Sequence, residues 1–192
     1  MAENDPLGQK PSGTLFLVVG PSGVGKDSLI DGARVALAGE VGFVFPQRTI
    51  TRAADAGGED HRAITSDRFA AEAAAGKYAL SWQAHGLDYG IPVSIADDLS
   101  QGRSVIVNVS RGVLDAARQK FGRVRVLSIR ASEQTLAARL ADRGRESAED
   151  IEQRIRRAAA YDVIGSDVIE IFNDGSLKDA IERVTAVLRD PG

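Results

Sequence analysis

Leu15-Phe16-Leu17-Val18-Val19-Gly20-Pro21-Ser22-Gly23-Val24-Gly25-Lys26-Asp27-Ser28-Leu29-Ile30 is the stretch that decides how the rest of the chain is read. Its first five residues are apolar and uncharged, the pattern of a parallel strand buried on both faces. From Ser28 onward the spacing predicts a helix, running to about Ala38. Strand, glycine loop and helix in that order make a phosphate-binding P-loop. Glycines let successive N–H groups turn inward toward phosphate oxygens, and the helix adds its positive end. Gly20, Pro21, Ser22, Gly23, Val24, Gly25, Lys26, Asp27 and Ser28 are therefore the expected contacts of a nucleoside triphosphate. Lys26 supplies a mobile charge for the β- and γ-phosphates. A glycine turn that merely joins a strand to a helix is disfavoured by the strand before it and the lysine in place.

One position departs from the usual pattern, which puts Ser or Thr directly after the lysine as a magnesium ligand. Here Asp27 stands in that place, with Ser28 one step later. A carboxylate suits a hard cation, so Asp27 and Ser28 are the candidate Mg²⁺ residues, Asp27 acting directly or through water. An acidic residue in the first turn also stabilises the helix dipole, and the sequence leaves both roles open for Asp27.

A second constellation is basic. Arg139, Arg143, Arg145, Arg154, Arg156 and Arg157 fall within a short span. Arg139 and Arg143 share one helical face, Arg154 and Arg157 another, and Gly144 lies between them like a hinge. This predicts an arginine-rich lid over a polyphosphate at about 142–157, with Lys26, Arg139, Arg143 and Arg154 as the catalytic set. Phosphoryl transfer relies mainly on positioning and charge stabilisation. The alternative is a solvated helical hairpin whose Glu146, Glu149, Asp150 and Glu152 simply pair the arginines; the neighbouring P-loop favours the lid.

The rest of the composition sets bounds. The chain has 192 residues, 43% hydrophobic and 27% charged, enough for one domain with a sizeable core. A net charge of −3 argues against a general nucleic-acid binder. Yet 19 of the 24 basic residues are arginine, whose planar fork suits phosphate. Without cysteine, disulfides and thiolate catalysis are excluded. Apolar runs are too short to span a bilayer, and the polar Met1–Ser12 lacks a signal-peptide core. No membrane partner and a cytoplasmic location are the expectation. The two histidines, His61 and His85, form no metal pattern, and no Ser/His/Asp arrangement is evident. Asn108, inside an apolar strand, reads as site-facing more readily than as packing. Asn173 follows the last strand, where ligands bind in open α/β sheets.

Taken in order, residues 1–12 read as a disordered lead-in and 13–192 as a single domain. Strands are expected at Val41–Pro46, Tyr78–Trp82, Val105–Val109, Val124–Ile129 and Val168–Phe172. Helices are expected at Ser66–Ala75, Val113–Phe121, Ser132–Ala141, from Ser147, and from a Ser176 cap with Leu177, Ile181, Val184 and Leu188 facing the core. His85–Gly90 reads as a tight loop. The alternation implies an α/β fold with a parallel sheet covered by helices on both faces.

These residues resemble the guanylate-kinase type of P-loop kinase from Thr14 onward. The Gly20–Lys26 loop, Thr51-Arg52 with Gly58-Glu59, Tyr89-Gly90, the Arg139/Arg143/Arg154 lid and Asn173-Asp174 carry the likeness. It implies an acceptor-binding insertion at about 47–95 and an adenine-side turn at Asn173. The acceptor half departs from a guanylate kinase: a second arginine is replaced by Asp55, a tyrosine by His61, and the guanine-reading glutamate expected within Tyr78–Trp82 is absent. Losing the polar partners of a base edge costs specificity steeply. Gly25–Ser28, Glu59-Asp60-His61, Trp82–Leu87, Tyr89–Pro92, Asn108–Arg111 and Arg143–Glu146 instead resemble the ribose 1,5-bisphosphate phosphokinase family. That resemblance implies transfer of the ATP γ-phosphoryl to the 1-phosphate of ribose 1,5-bisphosphate, forming 5-phosphoribosyl 1-diphosphate in phosphonate use.

On that reading Arg52 and Tyr89 hold the acceptor phosphate. His85, Asn108 and Arg111 meet the sugar or its second phosphate, and Glu59 joins the acceptor set. Because the acceptor oxygen is already anionic, no general base is required. ATP, Mg²⁺ and a sugar bisphosphate are then the expected partners; a homodimer is compatible with the sequence but not specified by it. A guanylate or other nucleoside monophosphate kinase is the alternative enzyme. A non-catalytic phosphopartner-binding module is the alternative from another class, against which the intact glycine loop and Lys26 argue.

Overall fold

The computed structural model describes residues 13–54, 59–142, 148–159 and 162–190. The expected lead-in at 1–12 lies outside them, as do Asp55, Gly58, Arg143, Gly144, Arg145 and Glu146. Strand β1 (Leu15–Val19) is wholly buried. It sits at the centre of a five-stranded sheet in the order β2-β7-β1-β8-β9, where β2 is Phe43–Val44, β7 Ser104–Asn108, β8 Val124–Arg130 and β9 Val168–Phe172. Every pairing in this sheet is parallel.

The period of two in a strand sends alternate β1 residues to opposite faces. Leu15, Leu17 and Val19 pack with Ile95 and Leu99 of helix α3 (Ile95–Ser100) and with Leu114 and Ala117 of helix α4 (Leu114–Lys120). Phe16 and Val18 pack with Leu29 and Ala33 of helix α1 (Lys26–Ala36) and with Val184 and Leu188 of helix α7 (Leu177–Arg189). Both faces are thus covered, which is why β1 shows no polar alternation. The chain leaves β1 toward β2 and β7 on one side and later builds β8 and β9 on the other. The switch point beside β1 is where the glycine loop emerges.

Most predicted core elements match, with some shifts. Leu177 is 48% exposed, and Ala180 and Thr185 take its place on the buried side of α7. The Ser176 side chain accepts from the Asp179 N–H at 3.1 Å, as the cap pattern requires. In helix α2 (Ser66–Ala74) the cap is Thr65, one residue before the expected Ser66; its hydroxyl accepts from the Arg68 N–H. Helix α3 is not among the helices expected from the sequence.

The larger difference lies in a second sheet, order β4-β3-β6-β5, formed by β3 (Arg48–Ile50), β4 (His61–Ala63), β5 (Tyr78–Ala84) and β6 (Leu87–Pro92). The expected tight loop at His85–Gly90 is instead a hairpin. Ala84 pairs with Leu87, leaving a two-residue turn at His85-Gly86. Their φ values of 53° and 74° are both positive, as a type I′ turn demands. Gly90 and Pro92, which look like breakers, lie within and at the end of β6.

Between α2 and this sheet lies a buried carboxylate, Glu72. Both terminal nitrogens of Arg62 donate to it at 2.7 Å and the Tyr78 hydroxyl donates at 2.8 Å. Arg62, then Tyr78, hold its carboxyl well below the usual carboxylate range. A depressed carboxylate contributes stability that is present above its unfolded pKa and lost as pH falls through the folded one. Glu72→Gln is expected to lower the melting temperature at pH 7. The gap to the parent should narrow as pH drops below about 4.3; a pH-independent gap would refute the electrostatic part.

Candidate active site

The site is built at the C-terminal edge of the parallel sheet. Gly25 caps α1 in a left-handed conformation, φ 95°. A β-carbon there would lie 2.7 Å from Asn173 Nδ2. That amide donates to the Val24 carbonyl at 2.8 Å, and Arg139 Nη1 donates to the same oxygen at 3.2 Å. One loop carbonyl is therefore held by a residue after β9 and another from helix α5 (Glu133–Asp142). Asn173 is buried, and its Oδ1 has no hydrogen-bond partner among the described residues. Asp174 accepts from the Ser132 N–H at 2.7 Å, a bond that holds its carboxyl below the usual range and fixes the turn against α5.

Gly25→Ala strains a left-handed position and collides with Asn173. The expected result is an unliganded protein that still folds but loses most of its thermal stabilisation by Mg·ATP. An undiminished shift would show that the loop tolerates the β-carbon.

Lys26 Nζ donates to the carbonyls of Gly20 at 2.7 Å and Pro21 at 3.0 Å, curling the ammonium over the loop. From helix α6 (Ala148–Ala159), Arg154 Nη1 donates to Ser22 Oγ at 2.8 Å. Of the arginines expected in the lid, Arg139 and Arg154 reach the loop; Arg143 lies outside the described residues. Asp27 and Ser28 occupy the exposed first turn of α1.

Beside the loop opens a cleft whose charged lining includes Asp27, Asp31, Glu59 and Asp60 with Arg34 and Arg48. Arg48 dominates it and was not singled out by sequence. It is 9% exposed on β3. Its Nε donates to Glu59 at 2.9 Å, Nη2 donates to the other Glu59 oxygen, and Nη1 donates to the Asn108 carbonyl at 2.9 Å. Its guanidinium lies 5.3 Å from the Tyr89 ring centroid and 5.8 Å from that of Trp82. Those two rings stack on each other at 5.3 Å. Burial pushes the Arg48 guanidinium down to about 10, against the pull of Asp27 and Tyr89, so it stays charged at neutral pH. The hint in the sequence was a charged residue three positions before Thr51 in an otherwise β-prone run, which becomes legible only with its partners.

The other expected acceptor residues divide. Arg52 lies two residues past the end of β3, its Nε buried without a partner among the described residues and its Nη2 3.4 Å from His61 Nδ1. Tyr89 and Glu59 meet through Arg48. Asn108 ends β7, but its amide donates to Asp27 Oδ1 at 2.8 Å, toward the nucleotide side. Arg111 opens a short 3-10 turn just after β7 (Arg111–Val113). His85 stands exposed on the β5–β6 turn, where its left-handed backbone serves the hairpin.

The donors present fit a magnesium–nucleotide. Asp27 engages Asn108 through one oxygen and has a second for a cation. Among the described residues no three His, Cys, Asp or Glu side chains form a cation cage. Mg²⁺ ordinarily takes one or two carboxylates together with substrate phosphates and water, which is what this edge offers. Among the described residues no helix is long and apolar enough to cross a membrane.

Comparison with known proteins identifies relatives of the chain. The guanylate kinase family model matches residues 12–190. A ribose 1,5-bisphosphate phosphokinase PhnN of Brucella melitensis is 46% identical over 167 residues, covering 87% of this chain and 87% of that protein. A bifunctional ribose 1,5-bisphosphokinase-thymidine phosphorylase of Roseobacter denitrificans is 47% identical over 169 residues. The match covers 88% of this chain and 25% of that relative, so the chain spans about a quarter of the bifunctional protein's length. Among solved structures, a guanylate kinase from Anaplasma phagocytophilum superposes with a TM-score of 0.67 at 20% identity, covering 95% of this chain and 87% of the other.

Proposed function

The chain belongs to the guanylate kinase family, and from that premise we propose that it is a ribose 1,5-bisphosphate phosphokinase using Mg·ATP. An oxygen of the acceptor's 1-phosphate attacks the γ-phosphorus of ATP. The bond from that phosphorus to the β,γ-bridging oxygen breaks, ADP leaves, and the product is 5-phospho-α-D-ribosyl 1-diphosphate. The acceptor oxygen is anionic, so the site needs no general base. The requirement is alignment and charge neutralisation.

The residues divide this work. The Gly20–Gly25 amides and Lys26 hold the donor's phosphates, while Arg139 and Arg154, already on the loop, face the charge that spreads over the moving phosphoryl. Asp27 and Ser28 would hold Mg²⁺, which would supply charge neutralisation on the donor's phosphates. Asn173, with its unpartnered Oδ1, serves the nucleotide side. Arg52 and Tyr89 take the acceptor phosphate, and His85 and Arg111 the sugar or its second phosphate.

One observation carries the acceptor choice. A nucleobase needs an open aromatic face and polar partners for its edge, yet the face of the Trp82–Tyr89 stack is covered by Arg48, which Glu59 holds in place. The likeness to the PhnN relatives over most of their length supports the same choice.

The test is ADP release from Mg·ATP with ribose 1,5-bisphosphate and, separately, with GMP, the products read by ³¹P NMR. A new diphosphate resonance with the sugar alone is expected. Turnover with GMP alone would overturn the acceptor while leaving the donor site standing.

A further inference from the structure

In P-loop enzymes the cation is held by a hydroxyl directly after the loop lysine and by a carboxylate at the end of a neighbouring strand. This chain departs from that arrangement at both positions. The carboxylate, Asp27, follows Lys26, and the strand paired with β1 ends in an amide, Asn108, in register with Val18. The two touch, Asn108 Nδ2 donating to Asp27 Oδ1 at 2.8 Å across 81 residues of sequence. Between them they still carry one carboxylate, and both line the cleft.

We propose that the two positions have exchanged roles, so that the P-loop itself supplies the cation's carboxylate and Asn108 is the positioning residue that aims it. This deepens the Mg·ATP reading and rests on it. The physical logic is that of a side chain oriented by an outer partner. Asn108 occupies one carboxylate oxygen as acceptor, fixes the Asp27 rotamer and directs the second oxygen outward. Asn108 is itself immobilised, since it ends a strand whose Val105–Val107 are buried and its carbonyl accepts from Arg48. The acceptor-side arginine and the cation-side carboxylate therefore share one anchor. A plain helix-dipole role for Asp27 gives no reason for an amide to terminate an apolar strand opposite it.

The exchange predicts compensation. Asp27→Asn removes the carboxylate. Asp27→Asn with Asn108→Asp returns it on the strand side and keeps a hydrogen bond with donor and acceptor reversed. The readout is the Mg²⁺ dependence of ADP affinity by calorimetry, alongside ADP affinity in EDTA, so neither turnover nor acceptor enters. Asp27→Asn should raise the Mg²⁺ concentration for half-maximal coupling by about tenfold or more, and Asn108→Ala by about tenfold, the range for removing a partner that orients a ligand. Neither should weaken ADP binding in EDTA, and Asp27→Asn should if anything strengthen it, because a carboxylate without its cation repels the phosphates. The double variant should return to within about threefold of the parent. Asp27→Ser with Asn108→Asp restores the common arrangement and is the second route should the first double fail to fold. Magnesium dependence untouched in Asp27→Asn, or doubles no better than their Asp27 singles, would overturn the proposal. Because no acceptor is present, such a failure is distinct from failure of the ribose bisphosphate reading, which the GMP comparison tests.

Discussion

Lys26→Ala is expected to lower kcat by about a thousandfold or more while leaving the unliganded fold nearly as stable as the parent. The side chain's interactions include two hydrogen bonds to its own loop, at 2.7 and 3.0 Å, and it belongs to neither hydrophobic core cluster. Bonds of that kind contribute about 1 kcal/mol net, or roughly 2–4 °C in a domain of this size. The catalytic loss is larger because the ammonium acts where charge develops. Removing one preorganised donor from such a site costs about 10²–10³-fold, and a full positive charge on a transferring phosphoryl is worth about 10³–10⁵-fold. Lys26→Arg should not restore activity, since a rigid planar fork cannot replace a compact point charge inside a glycine loop. Steady-state turnover with unliganded melting temperatures checks this. A variant retaining a tenth of parental kcat would remove Lys26 from the charge-stabilising set.

The sequence disclosed the donor half far better than the acceptor half, for physical reasons. β1 is buried on both faces and followed by a loop whose backbone demands glycine, so local composition carries its meaning. α7 likewise shows its start in Ser176 and its buried side in Val184 and Leu188. The acceptor sheet offers no such local signal. β3 and β4 are three residues each, and the buried residues Arg48, Thr49 and His61 within them are polar. Their burial is compensated by partners elsewhere: Glu59 for Arg48, and the Glu59 and Arg52 carbonyls around His61. Hydrophobic periodicity cannot report a strand stabilised this way. His85 is singled out from its place in the Trp82–Leu87 run, whereas its left-handed backbone in a two-residue turn is not legible there. Asn108 stands out in the sequence as an amide in an apolar strand, but its partner is 81 residues away and not inferable from spacing.

Arg48→Ala should be the most damaging change in the acceptor region, lowering both stability and acceptor use. Its guanidinium joins three things: the Glu59 carboxylate, the end of β7 through the Asn108 carbonyl, and the Trp82–Tyr89 stack. Removing one member of a buried ion pair strands the other charge, at a cost of about 3–5 kcal/mol. The Glu59 side chain keeps 19% exposure, so water reaches it and the lower end of that range applies. About 3 kcal/mol corresponds to a fall of roughly 6–12 °C in melting temperature. Two further variants separate the charge from the packing. Arg48→Met with Glu59→Leu removes both charges and should recover most of the stability, because a well-packed apolar pair often equals a buried ion pair. It should not recover turnover with ribose 1,5-bisphosphate, since the cleft then lacks its central cation. Trp82 is the chain's single tryptophan, so loss of the guanidinium above it should also change the intrinsic fluorescence in both variants. Recovery of stability together with full activity would show that Arg48 only fills space. Recovery of stability with activity still lost by two orders of magnitude or more would place the Arg48 charge among the groups that define the acceptor.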